Sequence, residues 1–98
     1  MKLLIAKNEY VISKQLLRSG TSIGANIEEA LTGQSKKDFL HKMSIALKEA
    51  RETRYWLKLL DKSQIILTDY KNYLVEIENI INILTKIVKT SSQSIYNL

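Results

Sequence analysis

Residues 35–62, SKKDFLHKMSIALKEARETRYWLKLLDK, decide the fold. Within them Phe39, Met43, Ala46, Ala50, Thr53, Leu57 and Leu60 recur at alternating steps of four and three. That is the spacing of a helix burying one seam against its neighbours, and Leu40 and Leu47 widen it. In front of the seam, Ser35-Lys36-Lys37-Asp38 reads as a variant of the capping box, in which a serine hydroxyl receives a backbone N–H of the first turn. The spacing predicts a helix over 36–61.

The same period continues on both sides. Upstream, Val11, Ile12, Leu16, Ser19, Ile23, Ile27, Ala30 and Leu31 stay in register across Gly20 and Gly24, which predicts one helix over 8–31. A break at Gly20, with Thr21 or Ser22 capping a new helix, is the alternative. The small residues Gly20, Ser22, Gly24 and Ala25 lower helix propensity but admit a neighbouring backbone. Thr32-Gly33-Gln34 reads as a stop, with Gly33 suited to the left-handed conformation after a helix end. Downstream, Asp61 to Thr68 is a connection whose Ile65-Ile66-Leu67 is expected to fold over the bundle end. Thr68 or Asp69 then caps a third helix over 69–89, with Tyr70, Tyr73, Leu74, Ile77, Ile80, Ile81, Leu84, Ile87 and Val88 on its apolar face. The polar tail 90–98 is expected to be flexible.

Composition closes off the other classes. Proline is absent and the 98 residues hold only three glycines, too few turn residues for a sandwich or barrel. The expectation is a single all-α domain, an up-and-down antiparallel bundle with three main helices in this chain. Without cysteine there is no disulfide scaffold, thiolate zinc site or cysteine nucleophile, and the single histidine, His41, rules out the usual histidine-based metal sites. No metal, cofactor or catalytic residue is expected. No apolar run approaches the roughly 20 residues of a membrane span, and Leu3-Leu4-Ile5-Ala6 is not a signal peptide. The expected compartment is the cytoplasm. Off-seam apolar residues Ile45, Trp56 and Leu59 suggest more surface to bury, so self-association is expected.

The formal charge of +5 directs attention to an acidic partner only once the charges are placed. On the helix over 36–61, Lys37, Arg51 and Lys58 share one heptad position and His41, Lys48, Tyr55 and Lys62 another, opposite the Met43–Ala50–Leu57 line. No carboxylate interrupts these two rows. At 1.5 Å per residue the stripe is about 37 Å long, long enough to follow a nucleic-acid backbone, with Tyr55 available to stack or to bond a phosphate. A plain solvated face is the alternative reading. Glu49 with Glu52, and Glu28 with Glu29, are read as members of structural ion pairs with Arg18, Lys14 and Arg54 rather than as acid–base catalysts. Asn26, one position from the apolar line, is read as a half-buried residue that fixes register. Gly24, Ala25, Asn26 and Trp56 are the candidate helix-contact residues.

A resemblance rests on Ser13-Lys14-Gln15-Leu16-Leu17-Arg18-Ser19-Gly20, on Ser22-Ile23-Gly24-Ala25-Asn26-Ile27, on Ser35-Lys36-Lys37-Asp38-Phe39, and on Ile45-Ala46-Leu47-Lys48-Glu49-Ala50-Arg51-Glu52-Thr53 with Tyr55-Trp56-Leu57. The chain resembles the bacterial four-helix bundle proteins encoded by intervening sequences of 23S ribosomal RNA genes, also called S23 ribosomal proteins. The resemblance implies a four-helix bundle, a homo-oligomeric ring (a pentamer) and no catalytic activity. The family is more distantly similar to the basic pentameric accessory proteins of diversity-generating retroelements, which implies RNA or DNA as a partner. Members usually begin with a further helix, and here only Met1 to Ala6 stands in its place, so either the first helix is truncated or the missing helix is supplied by a partner. The reading is a non-enzymatic oligomeric bundle binding nucleic acid through basic helix faces. A scaffolding oligomer acting through protein–protein contacts is the alternative.

Overall fold

The computed structural model describes the backbone of residues 2–96 and the side chains of residues 9–95. Three helices account for nearly all of it: α1 (Lys2–Thr32), α2 (Lys36–Ser63) and α3 (Lys71–Tyr96). No strand occurs among the described residues, in keeping with the all-α expectation, and no described helix is long and apolar enough to cross a membrane.

Helix α1 is continuous through Gly20 and Gly24, so the alternative of a break at Gly20 is not realised. It begins at Lys2 rather than at residue 8, because Leu3, Leu4 and Ala6 are good helix formers and nothing before Glu9 stops the ladder. Its end corrects a further expectation. Gly33 does not have a positive φ, and its use is one of space: a Cβ there would lie 3.3 Å from the Ala30 carbonyl oxygen and 3.4 Å from the Asp38 Cβ. The glycine lets the chain turn tightly between two helix ends.

Ser35 caps α2 from an extended conformation, its hydroxyl accepting the Asp38 N–H at 3.1 Å. At the other end, α2 runs past Asp61 to Ser63 and closes on Gln64, which takes the left-handed conformation (φ 50°) and donates its N–H to the Leu60 carbonyl. In the connection, Ile65 and Ile66 pack on the core as expected, whereas Leu67 points away and is 85% exposed. Asp69 accepts the Lys71 N–H at 3.0 Å, and α3 starts there. The helix does not stop at Lys89, and the tail expected to be flexible is helical to Tyr96. Thr90, Ser91, Ser92 and Ser94 are mediocre helix formers, but none is a breaker, and Ser91, Ser92 and Ile95 are half-buried. Residues 97 and 98 of that tail lie outside the described residues.

Helix α2 is the centre of the molecule. It packs against both α1 and α3, and among the described residues the backbones of those two stay apart. Its Ala46 and Ala50 are fully buried, short enough for close helix approach, while Met43, Leu47, Leu57 and Leu60 fill the space between. From the flanks come Ile12, Ile23 and Ala30 of α1, and Tyr70, Ile77, Ile81 and Leu84 at and along α3. Burial of each larger aliphatic side chain contributes about 1.5–3 kcal/mol. Ser19 and Thr53 are the buried polar pair in this core. Ser19 opposite Thr53 and Glu29 opposite Lys42 show that α1 and α2 run antiparallel.

Of the sequence seams, Val11, Leu31, Tyr73 and Ile80 stay outside this core, each more than a third exposed, as are Leu17 and Ile83 beside the seams. The separation of α1 from α3 is the reason. It leaves a groove of about 470 Å³ with α2 as its floor, at Thr53 and Leu57, and with Leu16, Leu17 and Gly20 on one wall and Tyr73, Ile77 and Ile80 on the other.

Candidate nucleic-acid interface

The basic stripe occupies the outward side of α2. Lys37, His41, Lys48, Arg51, Tyr55, Lys58 and Lys62 are all exposed. At 100° per residue they cluster about 150° around the helix from Leu57, so they face away from the groove. Because α1 and α3 both lie on the other side, α2 stands out as a ridge with these side chains along its crest. Ser44 shares the heptad position of Lys37, Arg51 and Lys58 and lies beside Lys37, Leu40 and His41 in a shallow depression. Sequence reading passed over it for lack of charge, and its hydroxyl is already used, donating to the Leu40 carbonyl at 2.8 Å.

The acidic residues are drawn to the other sides of α2. Arg18 of α1 bonds both Glu49 and Glu52, Lys42 pairs with Glu29 at 2.6 Å, and Arg54 holds Glu78 of α3 through both carboxylate oxygens. Arg18 and Arg54 were expected in such pairs; Lys42 takes the place expected of Lys14. Among the described residues none of these pairs uses a cation of the stripe. The crest is therefore a line of cations without carboxylates on it. Tyr55 is 58% exposed, and its ring meets Trp56 edge-on, with centroids 4.9 Å apart at 71°. That contact steadies the tyrosine while leaving it open to solvent.

The helix-contact candidates do not gather at one place. Trp56 is half-buried against the core, and its indole Nε1 is enclosed without a hydrogen-bond partner among the described residues. Gly24 and Ala25 are exposed, and nothing lies within 4 Å of a Cβ built on Gly24. Asn26 is half-buried as expected, but it does not fix register, because it donates to the Ser22 carbonyl at 2.8 Å within its own helix. That role falls to Ser19 and Thr53, which were read simply as seam residues.

Comparison with known proteins agrees with this architecture. The sequence profile of the 23S rRNA-intervening sequence proteins matches residues 2–86. A crystal structure from Bacteroides thetaiotaomicron, of a protein of unknown function from the S23 ribosomal protein family, is 50% identical with a TM-score of 0.78. The match covers 85% of this chain and 78% of that one. No curated protein is significantly similar. With the profile spanning most of its length, the chain belongs to the 23S rRNA-intervening sequence protein family.

Proposed function

We propose that this protein is a non-enzymatic helical bundle that binds nucleic acid along the crest of α2. The observation that carries the reading is the sorting of charge on that helix: Glu49 and Glu52 are tied down by Arg18, while Lys37, Lys48, Arg51, Lys58 and Lys62 remain exposed and outside the ion pairs of the described residues. A rigid helix spaces these cations at fixed intervals, so phosphates can be neutralised without ordering a flexible loop. Contacts of this kind go to the backbone of the nucleic acid and predict weak sequence preference.

The test separates the stripe from net charge. Reversing Lys48, Arg51 and Lys58 to Glu should weaken binding to an RNA or DNA oligonucleotide sharply. It should also reduce the log–log salt slope by about 0.9 per lost duplex-DNA contact, or about 0.7 on single strands. Reversing Lys71, Lys86 and Lys89 of α3 changes the formal charge equally and should do much less. Equal losses would reduce the interaction to diffuse attraction, and no binding by the unaltered chain at low salt would end the reading.

A further inference from the structure

Tyr55 stands in the middle of the denser half of the crest of α2. Arg51 lies one turn behind it and Lys58 one turn ahead, about 6 Å and about 4.5 Å away along the helix axis, with Lys48 and Lys62 a further turn out on each side. Of the aromatic residues of α2, Phe39 and Trp56 pack against the core, whereas Tyr55 is more than half exposed. Its one aromatic neighbour among the described residues, Trp56, meets it edge-on. An edge-on partner leaves at least one face of the tyrosine ring uncovered. Because Trp56 is itself packed on the core, the tyrosine is steadied from one side and open on the other. A ring held in this way, with only two side-chain torsions, loses little freedom when something flat is laid on it.

We infer that the crest takes single-stranded nucleic acid, with a base stacked on Tyr55 and the phosphates on either side of it held by Arg51 and Lys58. This rests on the nucleic-acid reading and narrows its ligand. Two features favour a single strand over a duplex. First, the row of cations is straight and about 37 Å long, while a duplex completes a turn in about 34 Å. Over that length each strand of a duplex circles away from a straight row, so only a few of its phosphates come within reach. A single strand has no pitch to keep and can follow the row from end to end. Second, the flanks of α2 are closed to a groove. Glu52 is paired with Arg18 of α1 on one side, and Arg54 with Glu78 of α3 on the other, and both carboxylates are at least a third exposed. Sinking α2 into a major groove about 8.5 Å deep would bring those carboxylates towards the phosphates of its walls. The outer side of the helix alone is presented, and there an unstacked base finds the tyrosine face. Stacking of this kind tolerates any base, since every base has a π-face.

The probes are fluorescein-labelled strands of about 12 nucleotides, within the span of known single-strand sites: a thymidine strand, a uridine strand, an abasic strand with the same phosphates, and a duplex of mixed sequence. Fluorescence anisotropy with the full chain at about 0.15 M salt should show a base-bearing single strand bound tightest. The abasic strand should bind roughly tenfold weaker or worse, and the duplex should also bind more weakly, against the order that its greater charge density dictates. Tyr55→Ala should lose roughly tenfold or more on the base-bearing strand. It should leave the abasic strand and the log–log salt slope unchanged, because no phosphate contact is removed. Tyr55→Phe should bind like the unaltered chain, since stacking needs the ring and not the hydroxyl. Equal affinity for abasic and base-bearing strands would overturn the inference, and so would a duplex bound tighter than any single strand. A folded Tyr55→Ala chain that binds unchanged, or a Tyr55→Phe loss equal to that of Tyr55→Ala, would overturn it too. Each of these leaves the crest as a phosphate-binding ridge, whereas absence of binding to every probe at low salt would remove the nucleic-acid reading beneath it.

Discussion

The Thr53 hydroxyl lies 2.9 Å from the Ser19 hydroxyl, joining α2 to α1 inside the core. Ser19 is fully buried and Thr53 nearly so. The Leu16 carbonyl at 3.2 Å from Ser19 and the Glu49 carbonyl at 2.8 Å from Thr53 complete the set of acceptors. An apolar seam tolerates sliding by a heptad step. A hydroxyl pair at one level does not, because a slip strands both groups away from water.

Removing one partner should therefore cost more than half of what removing both costs. Ser19→Ala or Thr53→Val alone is expected to destabilise the chain by about 1–2 kcal/mol in urea unfolding, and the double variant by less than the sum of the two. Strictly additive losses would show that the hydroxyls act independently.

Gly24 tests whether the small residues of α1 are packed in the isolated chain. With open space around it, Gly24→Leu should stabilise the fold by up to about 1 kcal/mol through helix propensity. A lowered melting temperature would mean that a neighbouring helix already sits on it in solution, as overpacking costs about 1–3 kcal/mol.

Alkaline stability depends on Tyr70. Its phenol is buried, only 4% exposed, and donates to the Ile66 carbonyl at 2.8 Å. Burial, and then the negative charges of Asp61 and Glu9, raise its pKa above the ordinary 10.0. In the unfolded chain the phenol ionises at the ordinary value, so ionisation favours unfolding. The stability present below pH 10 should fall as pH rises above it. Tyr70→Phe should start lower, having lost the hydrogen bond, and show a shallower decline in thermal melts between pH 9 and 11. An identical slope in both proteins would assign the alkaline loss to other groups.

The ion pairs that flank α2 should contribute little. Arg18 is about half exposed, and Arg18→Met is expected to cost no more than about 1 kcal/mol, shrinking as salt is added. A large, salt-independent loss would indicate that Arg18 instead packs through its aliphatic stem.

Most of the fold was legible because it rests on local periodicity. The α2 seam and the Ser35 cap are readable within a few residues of sequence, and so is the continuity of α1 through two glycines. What escaped depends on the absence of a signal or on tertiary placement. Gln64 ends α2 in a conformation where glycine is usual, so nothing marked the position. The serines after Lys89 suggested fraying, but helix propensity is a weak term against partial burial at Ser91 and Ile95. The stripe was readable since its members share one helix. The groove was not, because Leu17 and Tyr73 belong to different helices, and periodicity says nothing of how far apart two flanking helices stand.

Helix α2 resembles the spine of a half-open book, with α1 and α3 as its covers. Both covers are packed on the spine, while their own backbones stand apart among the described residues. The lettering on the spine is unaffected, since the intervals from Lys37 to Lys62 are set by the helical rise alone. The groove and the row of cations thus lie on opposite sides of one helix, and the spacing of the cations does not depend on the width of the gap.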